Sequence, residues 1–432
     1  MSTYKIKGGN TLKGSIETTA GKNAPVAILC ATLLIKGTSV LKNMTQVEEI
    51  HRMLELLKSI GATYQWKDAT TISIDTSNTL QLSLIDREAC QKTRASLLLF
   101  GSLAARVKEF NVYRSGGCKL GERSVRPHVM ALQKLGVTFE SHDGYYKVKT
   151  KKLKADDIVM YESGDTATEN AIMAAIFASG ITTIRFASAN YMVQDLCYFL
   201  QKAGAKIKGI GTTTLQITGV KKLKSVSGYF LSPDPVDSMA WIALAIATKS
   251  PLTIKNCPLD FLELELLKLN VMEQKYILKN KRLSQNKKFR IVDIQIIPSE
   301  LIALPDKLYG RPFPGLNIDN VPLFLPILIM AKGQSMIHDW CYENRAIYYV
   351  EIKKLGANIR LLDPHRVLIE GPTVLHPANM TCPPAIRPGM AILIAMLAAK
   401  GESMLKDCYP IDRAYESLVE RLQAIGADIE RV

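Results

Sequence analysis

The stretch Val47-Glu48-Glu49-Ile50-His51-Arg52-Met53-Leu54-Glu55-Leu56-Leu57-Lys58-Ser59-Ile60-Gly61-Ala62 decides how the chain is read. Val47, Ile50, Met53, Leu54 and Leu57 recur at helical spacing, which predicts an amphipathic helix. Gly61 then offers the left-handed conformation that ends a helix without steric cost. The same punctuation returns at Leu135-Gly136-Val137, Ala203-Gly204-Ala205, Leu269-Asn270-Val271, Leu355-Gly356-Ala357 and Ile425-Gly426-Ala427. Five of these six turns carry Gly and one carries Asn, and their centres lie 66 to 86 residues apart. Alternating side chains follow, as in Leu215-Gln216-Ile217-Thr218, and predict strands; further strands are expected after Gly37, Gly180, Gly333 and Gly401. Six helix-then-strand units use up all 432 residues, so the fold class is α/β and no separate catalytic domain is left over. Three such units make about 200 residues, near the size at which a single core stops growing, so two globules are expected.

Composition bounds the function without choosing it. At 47% hydrophobic and 22% charged residues the chain reads as an ordinary globular protein. Residues 1–10 hold no signal-peptide core, and no apolar run approaches the ~18 residues that span a bilayer; a cytoplasmic protein with no membrane partner is expected. Eight cysteines stand singly, without a CxxC pair or a Cys/His cluster, which argues against a disulfide framework and a structural zinc site. The formal net charge of +15 gathers partly in Lys275, Lys279, Lys281, Arg282, Lys287, Lys288 and Arg290, and in Lys147, Lys149, Lys151, Lys152 and Lys154. Solvated hairpins explain both stretches. Attraction of a small phosphorylated substrate or of nucleic acid is the other reading, which the lack of interleaved aromatics disfavours for nucleic acid.

Chemistry gathers at three places. In Ser115-Gly116-Gly117-Cys118-Lys119-Leu120-Gly121-Glu122-Arg123 a thiol sits among glycines and cations, which favour the thiolate; an incidental loop cysteine fits the same pattern. In Ala20-Gly21-Lys22-Asn23-Ala24-Pro25, Asn23 suits a helix cap, Pro25 the first turn, and Lys22 either an anion or solvent. Arg94, Arg345, Arg387 and Arg413 each flank an apolar segment; guanidinium forks grip carboxylate and phosphate, but spacing alone does not show that they converge.

Gly21-Lys22-Asn23, Thr93-Arg94-Ala95-Ser96, the loop from Gly116 to Arg123, Asp319, Glu343-Asn344-Arg345 and Ile411-Asp412-Arg413-Ala414-Tyr415-Glu416, set in a six-unit layout, together resemble the enolpyruvyl transferases over essentially the whole chain. The Gly-Gly-Cys loop is similar to the branch that uses UDP-N-acetylglucosamine rather than to the shikimate-pathway branch. The resemblance implies two inside-out α/β globules, each of three βαβαββ units with helices inside and sheets outside, joined by a double crossover. Residues 22–232 would form one globule and residues 1–21 plus 233–432 the other, with Leu231-Ser232-Pro233-Asp234-Pro235 as a hinge and substrates held in the cleft between.

The implied reaction moves the carboxyvinyl group of phosphoenolpyruvate to a hydroxyl of a nucleotide-type acceptor, with release of phosphate. By the same resemblance Lys22, Arg123, Arg345, Arg387 and Arg413 would bind phosphoenolpyruvate. Cys118 would protonate its methylene carbon and Asp319 would take the acceptor's proton, with Lys22 and Arg413 also in the catalytic set. Asn23, Arg94, Arg123, Ser124, Val125, Arg126, His128, Gly164, Asp165, Thr166 and Asp319 match acceptor-side positions. No metal or organic cofactor is implied. From pattern alone, Asp319 reads equally as a turn-capping residue after Pro314-Gly315.

Departures from the family pattern cluster on the acceptor side. Ser124-Val125-Arg126-Pro127-His128 stands where the family commonly has Pro-Val-Asp-Leu-His, and Gly164-Asp165-Thr166-Ala167-Thr168 replaces Ser-Val-Gly-Ala-Thr, whose backbone donors face a diphosphate. Ala189-Asn190-Tyr191-Met192 replaces Arg-Glu-Pro-Glu, Leu98 replaces a Trp, and Ala385 an Asp. Three readings follow. One is the peptidoglycan-precursor enzyme acting on UDP-N-acetylglucosamine. Another is a specialised relative acting on a different nucleotide, such as uridine monophosphate, or on another phosphorylated alcohol. The third is a non-catalytic basic binding protein that kept the fold.

Overall fold

The turns that punctuate the sequence hold the architecture together. The computed structural model describes residues 2–116 and 124–432. Gly61, Gly136, Gly204, Gly356 and Gly426 all adopt left-handed φ, between +88° and +104°. After Gly61, Gly204 and Gly426 the next amide reaches back across the helix end, Ala62 to Leu57 O at 3.0 Å, Ala205 to Leu200 O at 2.9 Å and Ala427 to Leu422 O at 3.0 Å. Asn270 departs from the expected pattern, because it lies within the helix Glu263–Val271 and the left-handed residue is Glu273, φ +64°. There Gln274 N–H bonds Leu269 O at 2.9 Å, so the same cap forms three residues later. Leu269 and Met272 are both fully buried, and their shared packing carries the helix past Asn270.

A strand opens after each cap: Thr63–Trp66, Val137–His142, Lys206–Lys208, Tyr276–Leu283, Asn358–Asp363 and Asp428–Arg431. The four strands expected after Gly37, Gly180, Gly333 and Gly401 form as Thr38–Lys42, Ile181–Arg185, Gly333–His338 and Gly401–Lys406. Six sheets result, four of four strands and two of three. The repeat is plainest in strand Asp157–Val159, helix Asp165–Ala175, strand Ile181–Arg185, helix Tyr191–Lys202 and strands Lys206–Lys208 and Thr214–Thr218, which is βαβαββ. Within it, Ile181–Arg185 pairs parallel with Asp157–Val159 and antiparallel with Thr214–Thr218.

The chain divides into two compact units, residues 2–21 with 233–432, and residues 22–116 with 124–232. In the first, Tyr4–Gly8 lies between Gly401–Lys406 and Asp428–Arg431, and Ser15–Glu17 adds parallel to Thr253–Pro258. In the second, Val226–Phe230 adds parallel to Thr38–Lys42. Each of these strands thereby joins a sheet whose other members are distant in sequence.

Within each unit the most apolar helices are inside. All thirteen residues of Pro235–Ala247 are buried, as are eleven of thirteen in Ile386–Ala398 and nine of ten in Asn23–Thr32. Helices apolar on every side belong in a core. Strands alternate instead: Leu215 and Ile217 face inward, while Thr214 and Gln216 face solvent. The two basic stretches lie on exposed hairpins, where Lys147 pairs with Glu109 at 2.9 Å, Lys149 with Glu140 at 2.6 Å, Arg282 with Asp293 at 3.1 Å and Arg290 with Glu263 at 2.9 Å. Of the described cysteines Cys341 is exposed; Cys30, Cys90, Cys197, Cys257, Cys382 and Cys408 are buried thiols. Among the described residues no helix is long and apolar enough to cross a membrane.

Candidate active site

In the unit that holds the C-terminus, the loop before Asp319 is shaped by amides. Asn317 accepts the Asp319 N–H at 2.9 Å, and buried Glu265 accepts from Asn317 N–H at 3.2 Å and from Asn320 Nδ2 at 2.8 Å. Burial raises the Glu265 pKa, against the pull of Asn320. The turn-forming role that pattern offered to Asp319 therefore falls to Asn317. The Asp319 side chain is left 30% exposed, with Oδ1 at 3.8 Å from Arg345 Nη1 and Oδ2 at 3.7 Å from Arg387 Nε.

Both arginines are buried, and both are oriented by partners of their own. Asp339 takes Arg345 side-on, Nε at 2.6 Å and Nη2 at 2.8 Å, and Ile318 O accepts from Nη2 at 2.8 Å. The Tyr342 ring lies 4.2 Å from the Arg345 guanidinium carbon. Arg387 donates through Nη1 to Tyr415 Oη at 2.8 Å and lies 5.3 Å from that ring. Burial pushes the Tyr415 phenol up to about 12, against the opposing effect of Arg387. Ala385, two residues before Arg387, is buried and brings no charge to that guanidinium. Arg413 is half-buried after the short helix Tyr409–Asp412, two residues before Tyr415. Asp412 fixes that helix by accepting from Ser2, Tyr4 and, at 2.7 Å, Arg431 Nη2.

In the other unit, Lys22 rather than Asn23 caps the helix Asn23–Thr32; Asn23 is its first helical residue and Pro25 lies in its first turn. The first turn carries no acid, so the positive end of the helix dipole keeps its sign beside Lys22. Arg94 is half-buried and reaches Ser124 O with Nη2 at 3.5 Å. Ser124 Oγ accepts the Arg126 N–H at 3.0 Å at the start of the helix Arg126–Lys134, leaving Arg126 exposed and Val125 half-buried. His128 is a core residue, 3% exposed, with Nδ1 at 2.8 Å from Asn170 Nδ2. Burial, helped by Arg94, pushes its pKa down to about 3, so the ring is neutral and orients the helix that bears Arg126.

Two acceptor-side departures are bonded to each other. Gly164 precedes the helix Asp165–Ala175 in an extended conformation, with Thr166 in the first turn. The Asp165 carboxylate accepts from Ser188 Oγ at 2.5 Å and from Asn190 Nδ2 at 3.2 Å. Asn190 Oδ1 in turn accepts the Tyr191 N–H at 2.8 Å and caps Tyr191–Lys202. Leu98, in place of a Trp, is fully buried. Cys118 and Arg123 lie outside the described residues. Asp339, Tyr415 and Ser188 carried no sequence signal of their own; Tyr415 stood inside a motif with no role attached.

The chain matches the family model described as EPSP synthase (3-phosphoshikimate 1-carboxyvinyltransferase) over residues 6–422. It is 34% identical to the UDP-N-acetylglucosamine 1-carboxyvinyltransferase of Bradyrhizobium diazoefficiens, across 99% of this chain and 98% of that protein. With the protein of the same name from Treponema denticola it shares 34% identity over 100% of this chain and 99% of the other. Among solved structures, the enolpyruvyl transferase NikO from Streptomyces tendae superposes with a TM-score of 0.87 at 22% identity, covering 100% of this chain and 99% of that one. An EPSP synthase from Acinetobacter baumannii gives 0.75 at 15% identity, covering 100% of both chains. At these identities the two structures speak for the fold, the inside-out α/β architecture described above. The family match and the full-length relatives establish more: the chain belongs to the EPSP synthase family of enolpyruvyl (carboxyvinyl) transferases.

Proposed function

We propose that this protein transfers the enolpyruvyl group of phosphoenolpyruvate to a hydroxyl of UDP-N-acetylglucosamine and releases phosphate, an early step toward peptidoglycan carried out in the cytoplasm. The observation that carries the reading is Asp319 set between the guanidinium groups of Arg345 and Arg387, at 3.8 and 3.7 Å. A carboxylate that accepts a hydroxyl proton and cations that hold a carboxylate and a phosphate are what this addition requires in one place. Cys118 delivers a proton to the methylene carbon of phosphoenolpyruvate, the acceptor oxygen bonds C2, and Asp319 takes the hydroxyl proton. Loss of phosphate and of one methyl proton from the tetrahedral adduct restores the double bond. Lys22, Arg123 and Arg413 join Arg345 and Arg387 around the donor, and Lys22 and Arg413 counter the charge that develops on the phosphate. Asn23, Arg94, Ser124, Val125, Arg126, Gly164 and Thr166 serve the acceptor, and His128 supports them from the core.

One observation favours a different acceptor. Asp165 places a carboxylate, bonded to Ser188 and Asn190, in the first turn of a helix where the family offers backbone donors to a diphosphate. An acid there offsets the helix dipole and disfavours an anion. An acceptor with another phosphate arrangement, such as uridine monophosphate, fits that end better. Phosphate release from phosphoenolpyruvate, measured in parallel with UDP-N-acetylglucosamine, uridine monophosphate and shikimate 3-phosphate, decides. Release with UDP-N-acetylglucosamine is the expected result; release with uridine monophosphate alone moves the acceptor to the second reading. No release with any of the three points to the binding-protein reading.

A further inference from the structure

We infer that Asp339 is a positioning residue for the reaction: it sets the plane of the Arg345 guanidinium and, through Arg345, the place of the loop that carries Asp319. The inference rests on the role proposed above for Arg345.

Asp339 follows the strand Gly333–His338 and is 2% exposed. Its backbone is pinned on both sides by His365, with Asp339 N–H donating to His365 O at 2.7 Å and Asp339 O within 3.2 Å of His365 Nδ1. Its carboxylate is fully engaged: Oδ2 accepts from Arg345 Nε and Tyr349 Oη, and Oδ1 from Arg345 Nη2. Two parallel bonds to one fork fix both direction and plane, which a single contact does not. The Tyr342 ring, 4.2 Å from the guanidinium carbon, supports the same placement.

The consequence lies at the other edge of Arg345. Nη2 also donates to Ile318 O at 2.8 Å, so the side chain ties the end of one strand to the residue before Asp319. Nη1 is the nitrogen that looks toward Asp319, at 3.8 Å, a distance of charge attraction rather than of a formed hydrogen bond. A buried, doubly held arginine with one edge directed at the reacting carboxylate is a preorganised anion site, and its direction is set by Asp339. Leaving out Asp339 frees the fork to turn toward Asp319 or Ile318 and moves the site by a fraction of its own size, which is enough to cost about 10²-fold in rate.

The test is a double-mutant cycle on the full-length protein, Asp339→Asn, Arg345→Lys and both together. Phosphoenolpyruvate binding is read by calorimetry, and kcat and both KM values are read with whichever acceptor supports phosphate release. The expected result is that Asp339→Asn weakens phosphoenolpyruvate binding or kcat about as much as Arg345→Lys does, roughly 10- to 100-fold, leaves the acceptor KM within twofold, and adds little in the double variant. A merely structural role lowers the thermal midpoint and the binding stoichiometry without this split. If Asp339→Asn does not fold, Tyr349→Phe, which removes one hydrogen bond from the Asp339 carboxylate, is expected to change the same constants in the same direction by a smaller factor. Full additivity, or a neutral Asp339→Asn beside a damaging Arg345→Lys, overturns the inference and leaves the proposed function standing. An Arg345→Lys protein that binds and turns over phosphoenolpyruvate as the parent does overturns the role of Arg345 and, with it, the inference.

Discussion

In the unit built from residues 2–21 and 233–432 the candidate residues hold one another, whereas in the unit built from residues 22–116 and 124–232 they are held by the scaffold. Asp319 is paired with Arg345 and Arg387, and those two are oriented by Asp339 and Tyr415. Arg94 has instead a long contact to a backbone carbonyl, His128 faces Asn170 in the core, and Asp165 is spent on Ser188 and Asn190. A charge cluster whose members fix each other's geometry is intolerant of substitution, since each change strands a buried partner. Side chains held by the scaffold rather than by one another can be exchanged one at a time, and most of the departures from the family pattern lie there, Ala385 excepted. The proposed donor site is thus the rigid part of the chemistry and the acceptor side the part open to change.

The sharpest way to break that contrast is to remove the proton donor. Cys118→Ser is expected to lower kcat by ~10²- to 10⁴-fold while acceptor binding persists, read by phosphate release and calorimetry; unchanged turnover removes the thiol from the reaction. Next in size is Asp319→Asn, expected to cost ~10²-fold in kcat, because the amide neither accepts a proton nor balances two guanidinium charges. A change confined to the acceptor KM would place Asp319 on the wrong side of the comparison.

The scaffold-held side is probed by pH. His128 has a folded pKa of about 3 against 6.5 for a free ring, so the unfolded chain binds a proton that the folded chain does not. Its contribution to stability is complete above pH 6.5 and is lost as pH falls from there toward 3. Between pH 7.5 and 5 the parent should lose about 2 kcal/mol more unfolding free energy than His128→Gln, as read from urea titrations. Equal losses would mean that the ring titrates normally and is not locked in the core. Glu169 and Asp195, both buried with raised pKa, act in the opposite direction, which is why the difference between the two proteins is the quantity to follow. The smallest effect belongs to Arg94→Ala, expected to raise the acceptor KM about 10-fold with the phosphoenolpyruvate KM unchanged, as losing one charged hydrogen-bonding contact predicts. A fall in kcat of that size with both KM values unchanged would instead place Arg94 in the chemistry.

What the sequence disclosed follows the reach of each interaction. A helix stop is local chemistry, so the five Gly caps and the strands after them were legible from a few residues each. Asn270 misled because Met272, two residues beyond it, packs with Leu269 in the core, and packing outweighs a turn preference. Asn317 and Asp319 are equally good turn residues, and only the position of Glu265, more than fifty residues earlier, assigns the turn to Asn317 and releases Asp319. The bonds from Asp165 to Ser188 and Asn190 likewise join segments separated by a strand and turn. The roles of Lys22, Arg94, Asp319 and the arginines entered through resemblance, because no spacing along a chain shows which side chains converge.

The most direct measurement is a crystal structure of the protein with phosphoenolpyruvate and the acceptor that supports turnover. The donor's carboxylate and phosphate are expected within hydrogen-bonding distance of the Arg345, Arg387 and Arg413 guanidinium groups, with Asp319 beside the acceptor hydroxyl. Phosphoenolpyruvate bound elsewhere, with Arg345 and Arg387 still engaged only by Asp339, Tyr415 and Asp319, would contradict it.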